Sequence, residues 1–121
     1  VTTFLDMSAL MHIASNVLGP RGVVIRDAGL LASALARPMA SYADEDAYPS
    51  LIDKAAALLH SLVCNHGLID GNKRLGWAAT VVFCDINGLR LDLSDDAVLD
   101  LVIGVAEGKY DLDEIVWRLS K

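Results

Sequence analysis

Two apolar stripes of helical period approach each other along this chain and halt on either side of ten residues that a core would not ask for, Asn65-His66-Gly67-Leu68-Ile69-Asp70-Gly71-Asn72-Lys73-Arg74. Before this stretch, Ile52, Ala55, Leu59 and Leu62 recur at alternating intervals of 3 and 4, and the spacing continues to His66. After it, Leu75, Ala78, Ala79, Val82, Phe83 and Ile86 keep the same period. Such a period is the buried stripe of an amphipathic helix. The pattern therefore predicts one helix from about Pro49 to Asn65, delivering a partly shielded His66. A short loop follows, and a second helix begins at about Gly71 or Asn72.

A helix N-terminus exposes backbone N–H groups that lack intrahelical partners and carries the positive end of the helix dipole, so it receives anions. Gly71 has no side chain to block an anion from those amides and tolerates the dihedrals of an anion nest. Lys73 and Arg74 place two cations in the first turn, where the dipole disfavours them unless an anion compensates. This local conflict points to a phosphate ligand.

The run His66-x-x-x-Asp70-Gly71-Asn72-Lys73-Arg74 resembles the signature of the Fic/Doc family in its Doc (death-on-curing) form. The order of helices around it is similar to that family over most of the chain. The resemblance implies an all-α fold, a compact helical bundle of about six helices in one domain over residues 1–121, with a short β flap near residues 22–26. It implies further that His66 is the general base toward a protein hydroxyl, that Asp70 holds Mg2+ on ATP, and that Gly71 and Asn72 line the anion nest. Lys73 and Arg74 then contact the nucleotide phosphates. Asn72 can also orient the base without adding charge.

Leu68 stands where most of the family carries Phe as the loop's core anchor. The AMP-transferring branch has Gly at the position of Lys73 and a second Arg at that of Trp77. Both departures are similar to the Doc branch, whose activity is ATP-dependent phosphorylation of elongation factor Tu. The resemblance thus favours a phosphotransferase toxin held in check by a cognate antitoxin. Adenylyl transfer and a non-catalytic binding module are the alternatives. In phosphoryl transfer a protein chiefly positions groups and neutralises charge; an imidazole accepts a proton near neutral pH, and Mg2+ needs only one or two carboxylates besides phosphates.

At 121 residues and 54% hydrophobic, the chain has room for one core. The longest apolar run, near Trp77–Cys84, falls short of the roughly 20 residues that span a bilayer, and the N-terminus does not read as a secretion signal. A cytoplasmic protein without membrane contact is expected. Cys64 and Cys84 lie in helical patterns and read as reduced thiols. A net charge of −6 argues against nonspecific nucleic-acid binding.

Asp6 reads as the cap of a helix carrying Met7, Leu10, Met11, Ala14, Val17 and Leu18, which Gly19-Pro20 ends. His12 falls between stripe positions and reads as solvent-facing. Val23, Val24, Ile25 and Arg26 are an extended segment: in the resemblance a flap that docks the target by main-chain pairing, in the plainer reading a connector. Asp27 caps a helix that stops before Pro38. Ser41 to Ser50 is polar and reads as a solvated approach to the next helix. Ser41-x-x-x-Glu45 matches half of an inhibitory motif of some Fic proteins, but Asp46 breaks it. His60 lies off the stripe and reads as a surface or half-buried residue.

Asn87-Gly88 reads as a left-handed C-cap. Ser94, Asp95 and Asp96 begin the next helix, and Asp111 the last. Cys64 precedes His66 by 2 positions, which points the two side chains apart on a helix and disfavours a thiol-protease pair. Trp77 shares a face with Arg74 and walls either the pocket or the core. A dinuclear phosphohydrolase lacks its further ligands here, and no Gly-x-x-x-x-Gly-Lys-Ser/Thr loop is present.

Overall fold

Helices begin in this protein where a short polar side chain precedes an apolar run, as seen throughout the computed structural model, which describes residues 1–121. Helix α1, Met7–Leu18, follows Asp6, whose carboxylate accepts the Ala9 N–H at 2.8 Å. Helix α2, Ala28–Ala36, follows Asp27, which accepts from Leu30. Helix α3, Leu51–Asn65, opens with a reciprocal capping box between Ser50 and Asp53. Helix α4, Asn72–Ile86, opens differently: it follows Gly71 at φ 90° and has no side-chain cap. Helix α5, Asp95–Ala106, follows Ser94, and helix α6, Leu112–Leu119, follows Asp111. Single 3-10 turns occupy Pro20–Gly22 and Arg37–Met39. The expected all-α class with six α-helices is what the chain adopts, and no helix is long and apolar enough to cross a membrane.

The sequence pattern gave α3 a single buried stripe; the structure buries it on every side. Lys54 through Leu59 are all buried, as are Ser61, Leu62 and Val63, because α2, α4, α5 and α6 all pack around it. Small side chains make this possible. Ala55, Ala56 and Ala57 let neighbouring helices approach, so a stripe count based on large apolar residues understates the burial. Ile52, placed on the stripe, is only half-buried. Helix α4 makes the broadest contact with α3, and Gly76 permits it: a Cβ there would lie 2.7 Å from Cγ2 of Val63. The start of α3 also differs, since Ser50 rather than Pro49 marks it.

The Ser41–Ser50 approach, read as a solvated connector, contains the structure's only strand pair. β1, Ser41–Tyr42, runs antiparallel to β2, Glu45–Asp46, through a turn in which Ala43 and Asp44 both have positive φ, the backbone suited to a tight hairpin. Lys54, 4% exposed, holds it to α3. Its ammonium donates to Asp46 at 3.1 Å, to the Pro49 carbonyl at 3.2 Å and to the Tyr48 carbonyl. The segment near residues 22–26 forms no strand pair of its own. Ile25 instead makes one antiparallel bridge with Leu68.

Asn87-Gly88 closes α4 as expected, with Gly88 at φ 84° and the Leu89 N–H on the Cys84 carbonyl at 2.9 Å. Both cysteines are free; Cys84 is buried and Cys64 half-buried. Burial pushes the Cys84 thiol up to about 11, so it is a packing group.

Gly76→Ala tests the α3–α4 approach. The new methyl meets Val63, which is stiff and buried, so overpacking of about 1–3 kcal/mol outweighs the gain in helix propensity of about 1 kcal/mol. A lower urea midpoint with unchanged slope is the expected result.

Candidate functional site

Helix α3 ends at Asn65 and hands the chain to a six-residue loop, 66–71, fastened through backbone groups of His66, Gly67, Leu68, Ile69 and Gly71. Leu68 is 1% exposed and anchors the loop in the core, as the sequence suggested for this position. The Asn72 carboxamide completes the anchor. Its Oδ1 accepts the Leu68 N–H and its Nδ2 donates to the Leu68 carbonyl, both at 3.0 Å. Asn72 is itself buried, so its side chain serves the loop, and what it offers the solvent-facing side is its backbone amide.

Extended residues 24–27 lie against the loop's other edge. The N–H groups of Arg26 and Asp27 both donate to the Gly67 carbonyl, at 2.8 and 3.0 Å, and Ile69 donates to the Val24 carbonyl at 2.9 Å. One edge of the flap read from the sequence is thus paired with the motif loop. Val23 is half-buried; Val24, Ile25 and Arg26 are exposed. Asn65 adds a bond from Nδ2 to the Leu30 carbonyl at 3.1 Å.

These fastenings assemble a hollow of about 250 Å³ lined by His66, Asp70, Gly71, Asn72, Lys73 and Arg74, among others. All six motif positions singled out in the sequence therefore meet. His66 is exposed, where the stripe suggested partial shielding, because its backbone turns into the left-handed region at φ 54°, ψ 49° and leaves the helical stripe. The first three amides of α4, those of Asn72, Lys73 and Arg74, make no hydrogen bond within the protein. Lys73 and Arg74 are exposed and take part in none of the ion pairs, which are Lys54–Asp46, Arg118–Asp100 and Arg118–Glu114.

Asp70 is the hollow's only carboxylate, and one of its oxygens accepts the Gly71 N–H at 2.8 Å. The other remains available as a hard donor. No group of three or more His, Cys, Asp or Glu side chains is placed to hold a metal by itself. A single carboxylate fits Mg2+, which takes most of its remaining oxygens from phosphates and water. Beside the hollow runs an apolar groove of about 410 Å³ that shares Lys73 and Arg74 with it and is walled by Val17, Trp77, Ala78 and Val102. Trp77 is half-buried, packing on the core with one part and lining the groove with another.

Sequence reasoning missed the polar network at Arg37. Its guanidinium donates to the Tyr48 hydroxyl at 2.9 Å, to Ser61 Oγ at 3.0 Å and to His60 Nδ1 at 2.8 Å. An accepting Nδ1 means a neutral His60 with its proton on Nε2. Burial, and then the Arg37 charge, lower the His60 pKa below the usual value. Arg37, Tyr48 and the His60-Ser61 pair are separated in sequence, and the packing of the Arg37–Met39 turn on α3 joins them. His12 is exposed, as read.

Residues 4–84, from before α1 through most of α4, match the model of the Fic/DOC family. The chain is also 46% identical over 122 aligned residues to a protein named Toxin Doc from Mycolicibacterium smegmatis (strain ATCC 700084 / mc(2)155), covering 99% of this chain and 93% of that relative.

Asn72→Ala leaves the buried amide and carbonyl of Leu68 without partners, at a cost of about 1–3 kcal/mol. Lys73→Ala, at an exposed and unpaired position, changes stability by less than about 0.5 kcal/mol. Urea denaturation of the two variants side by side checks the contrast. For His60, the folded state binds a proton less readily than the unfolded state. Its contribution therefore favours folding at neutral pH and is lost as pH falls below about 6.5, the unfolded value, toward the lower folded one. His60→Gln removes that component, so the loss of stability between pH about 7 and about 5 is expected to be smaller in the variant than in the parent protein.

Proposed function

The chain belongs to the Fic/Doc family, and from that premise we propose that it is a Doc-type toxin of a toxin–antitoxin system. In this reading it moves the γ-phosphate of ATP to a hydroxyl of a translation factor resembling elongation factor Tu, with His66 as general base. One observation carries the proposal. Of six helix N-termini, five are closed by an Asp or Ser side chain; the sixth, α4, is open, carries two unpaired cations, and shares its hollow with His66.

The chemistry follows from the groups in place. The target hydroxyl oxygen attacks the γ-phosphorus while its proton passes to the His66 imidazole; the bond to the β–γ bridging oxygen breaks, and ADP leaves. The three free amides of α4, with Lys73 and Arg74, receive the negative charge spread over the phosphate oxygens. Asp70 would hold Mg2+, which neutralises charge on the polyphosphate when bound. Asn72 acts through the loop: by fixing Leu68 it fixes the path of residues 68–71 and hence the carboxylate of Asp70. The main-chain N–H and carbonyl of Ile25, which face away from the motif loop and bond to nothing in the chain, are suited to pairing with a target segment.

Two features favour γ-phosphoryl over adenylyl transfer. Lys73 puts a long cationic side chain at the mouth of the hollow, where the AMP-transferring branch has glycine, and Trp77 stands where that branch has a second Arg. The antitoxin, in this reading, occupies the apolar groove beside Lys73 and Arg74. An amphipathic segment with a carboxylate at one end matches its chemistry and would compete with the nucleotide phosphates for the same two cations.

Incubating the protein with ATP labelled at the γ-phosphate and, separately, at the α-phosphate tests the proposal. Label from the γ-position on a translation factor is expected, and His66→Ala should reduce it by about 10²- to 10⁴-fold, the usual worth of a general base. Transfer of the α-label would assign the protein to the adenylylating branch. No transfer of either label in the presence of the candidate targets would remove the enzymatic reading.

A further inference from the structure

We propose that Arg26 is the positioning residue for His66, holding its backbone in the left-handed turn that carries the imidazole off α3 and into the hollow. The inference rests on the reading of His66 as the base but concerns a residue outside the motif.

The end of α3 is built unlike the others. After α1, α4 and α5 the positive φ falls on Gly19, Gly88 and Gly108, residues without a Cβ. After α3 it falls on His66, where a side chain makes that conformation unfavourable. Helices that end this way normally recover stability through backbone bonds from the residues just beyond the end to carbonyls of the last turn. Here neither His66 nor Gly67 donates such a bond.

What occupies the gap is the Arg26 guanidinium. Its Nε donates to the His66 carbonyl at 2.6 Å and its Nη2 to the Asn65 carbonyl at 3.3 Å. A cation at the negative end of a helix dipole is favourable, and charge-assisted bonds are the stronger kind. The fork grips two successive carbonyls and thereby sets the peptide planes on either side of the His66 Cα. Its own base is steady, because the backbone around Arg26 is tied to Gly67 and Ile69 through three main-chain bonds. The extended segment read as a target-docking flap thus has a second task toward the motif loop.

Arg26→Ala and Arg26→Lys, each in the full chain, test this with two readouts. In phosphoryl transfer, Arg26→Ala should lower kcat by about 10²-fold, in the range of a misplaced base. The KM for ATP should change by less than about threefold, since the amides of α4, Lys73 and Arg74 are untouched. Arg26→Lys keeps the charge but loses the fork, and should recover part of the rate. Combined with His66→Ala, the Arg26 change should add nothing, because two residues acting as one unit are not additive.

The second readout does not need activity. The imidazole carbon–proton resonances of His66 should shift and broaden in Arg26→Ala, return toward their original positions in Arg26→Lys, and stand against unmoved resonances of His12 on α1. Unmoved His66 resonances in Arg26→Ala would overturn the proposal, as would equal losses in kcat and ATP affinity. Should the parent protein transfer no phosphate, the assigned function fails, and the resonances still decide the role of Arg26.

Discussion

The bond pair between the Asn72 carboxamide and the backbone of Leu68 is the constraint on which the rest depends. A chain that turns from α3 to α4 inside a packed molecule must bury the peptide groups of the turn, and each unpaired one is costly. Leu68 satisfies the apolar half of the problem by filling the core, which takes its amide and carbonyl out of water. Asn72 satisfies the polar half, because a carboxamide is both a donor and an acceptor at one site. A carboxylate there could not donate and a hydroxyl could not span both groups. With residue 68 fixed from the α4 side and residue 67 fixed by the amides of Arg26 and Asp27, the loop has few remaining degrees of freedom. The positions of His66, Asp70 and the α4 amides then follow from helix packing rather than from loop flexibility.

Against this rigid frame the polar groups facing the hollow are left unsatisfied in a consistent way. Elsewhere the protein closes its helix ends: Asp or Ser at five N-termini, a capping box at α3, and Arg118 bridged to Asp100 and Glu114 near the C-terminus. At α4 three amides and two cations lack partners although the chain carries a net charge of −6 and has carboxylates to spare. A sequence that follows its own rules at five ends and departs from them at one marks a site where an external group completes the structure. The Arg37 network shows the opposite case. There a half-buried cation is satisfied by Tyr48, His60 and Ser61.

Most helix boundaries could be read from the residues because they are set by local chemistry. Asp6, Asp27, Ser94 and Asp111 announce caps within three positions of the amides they serve, and Asn87-Gly88 announces a stop. The motif positions could be read for the same reason: they are consecutive, and their mixture of charge and glycine has no packing rationale. What could not be read depends on distant pairs. The all-round burial of α3 requires knowing that four other helices surround it. The hairpin at 41–46 depends on Lys54, eight residues beyond Asp46, and has no alternating apolar pattern to signal it. The stripe position of His66 extrapolates the helical period one residue past Asn65, the last residue of α3, to the residue at which the backbone turns left-handed.

That last residue connects the fold to the chemistry. Had α3 ended one position later in regular geometry, the side chain at 66 would continue the buried stripe toward the core, and the imidazole would be withheld from solvent. The left-handed turn costs on the order of 1–2 kcal/mol for a residue with a Cβ, a modest fraction of a domain's usual stability of about 5–15 kcal/mol. Arg26 offsets part of it from outside the motif, and the core burial of Leu68 two residues on holds the chain to the new direction. Stability spent on an unfavourable dihedral next to an open helix terminus is a sensible arrangement only if the imidazole must face what that terminus binds. Strain and unsatisfied charge thus lie within one loop, the arrangement that the proposed phosphoryl transfer asks for.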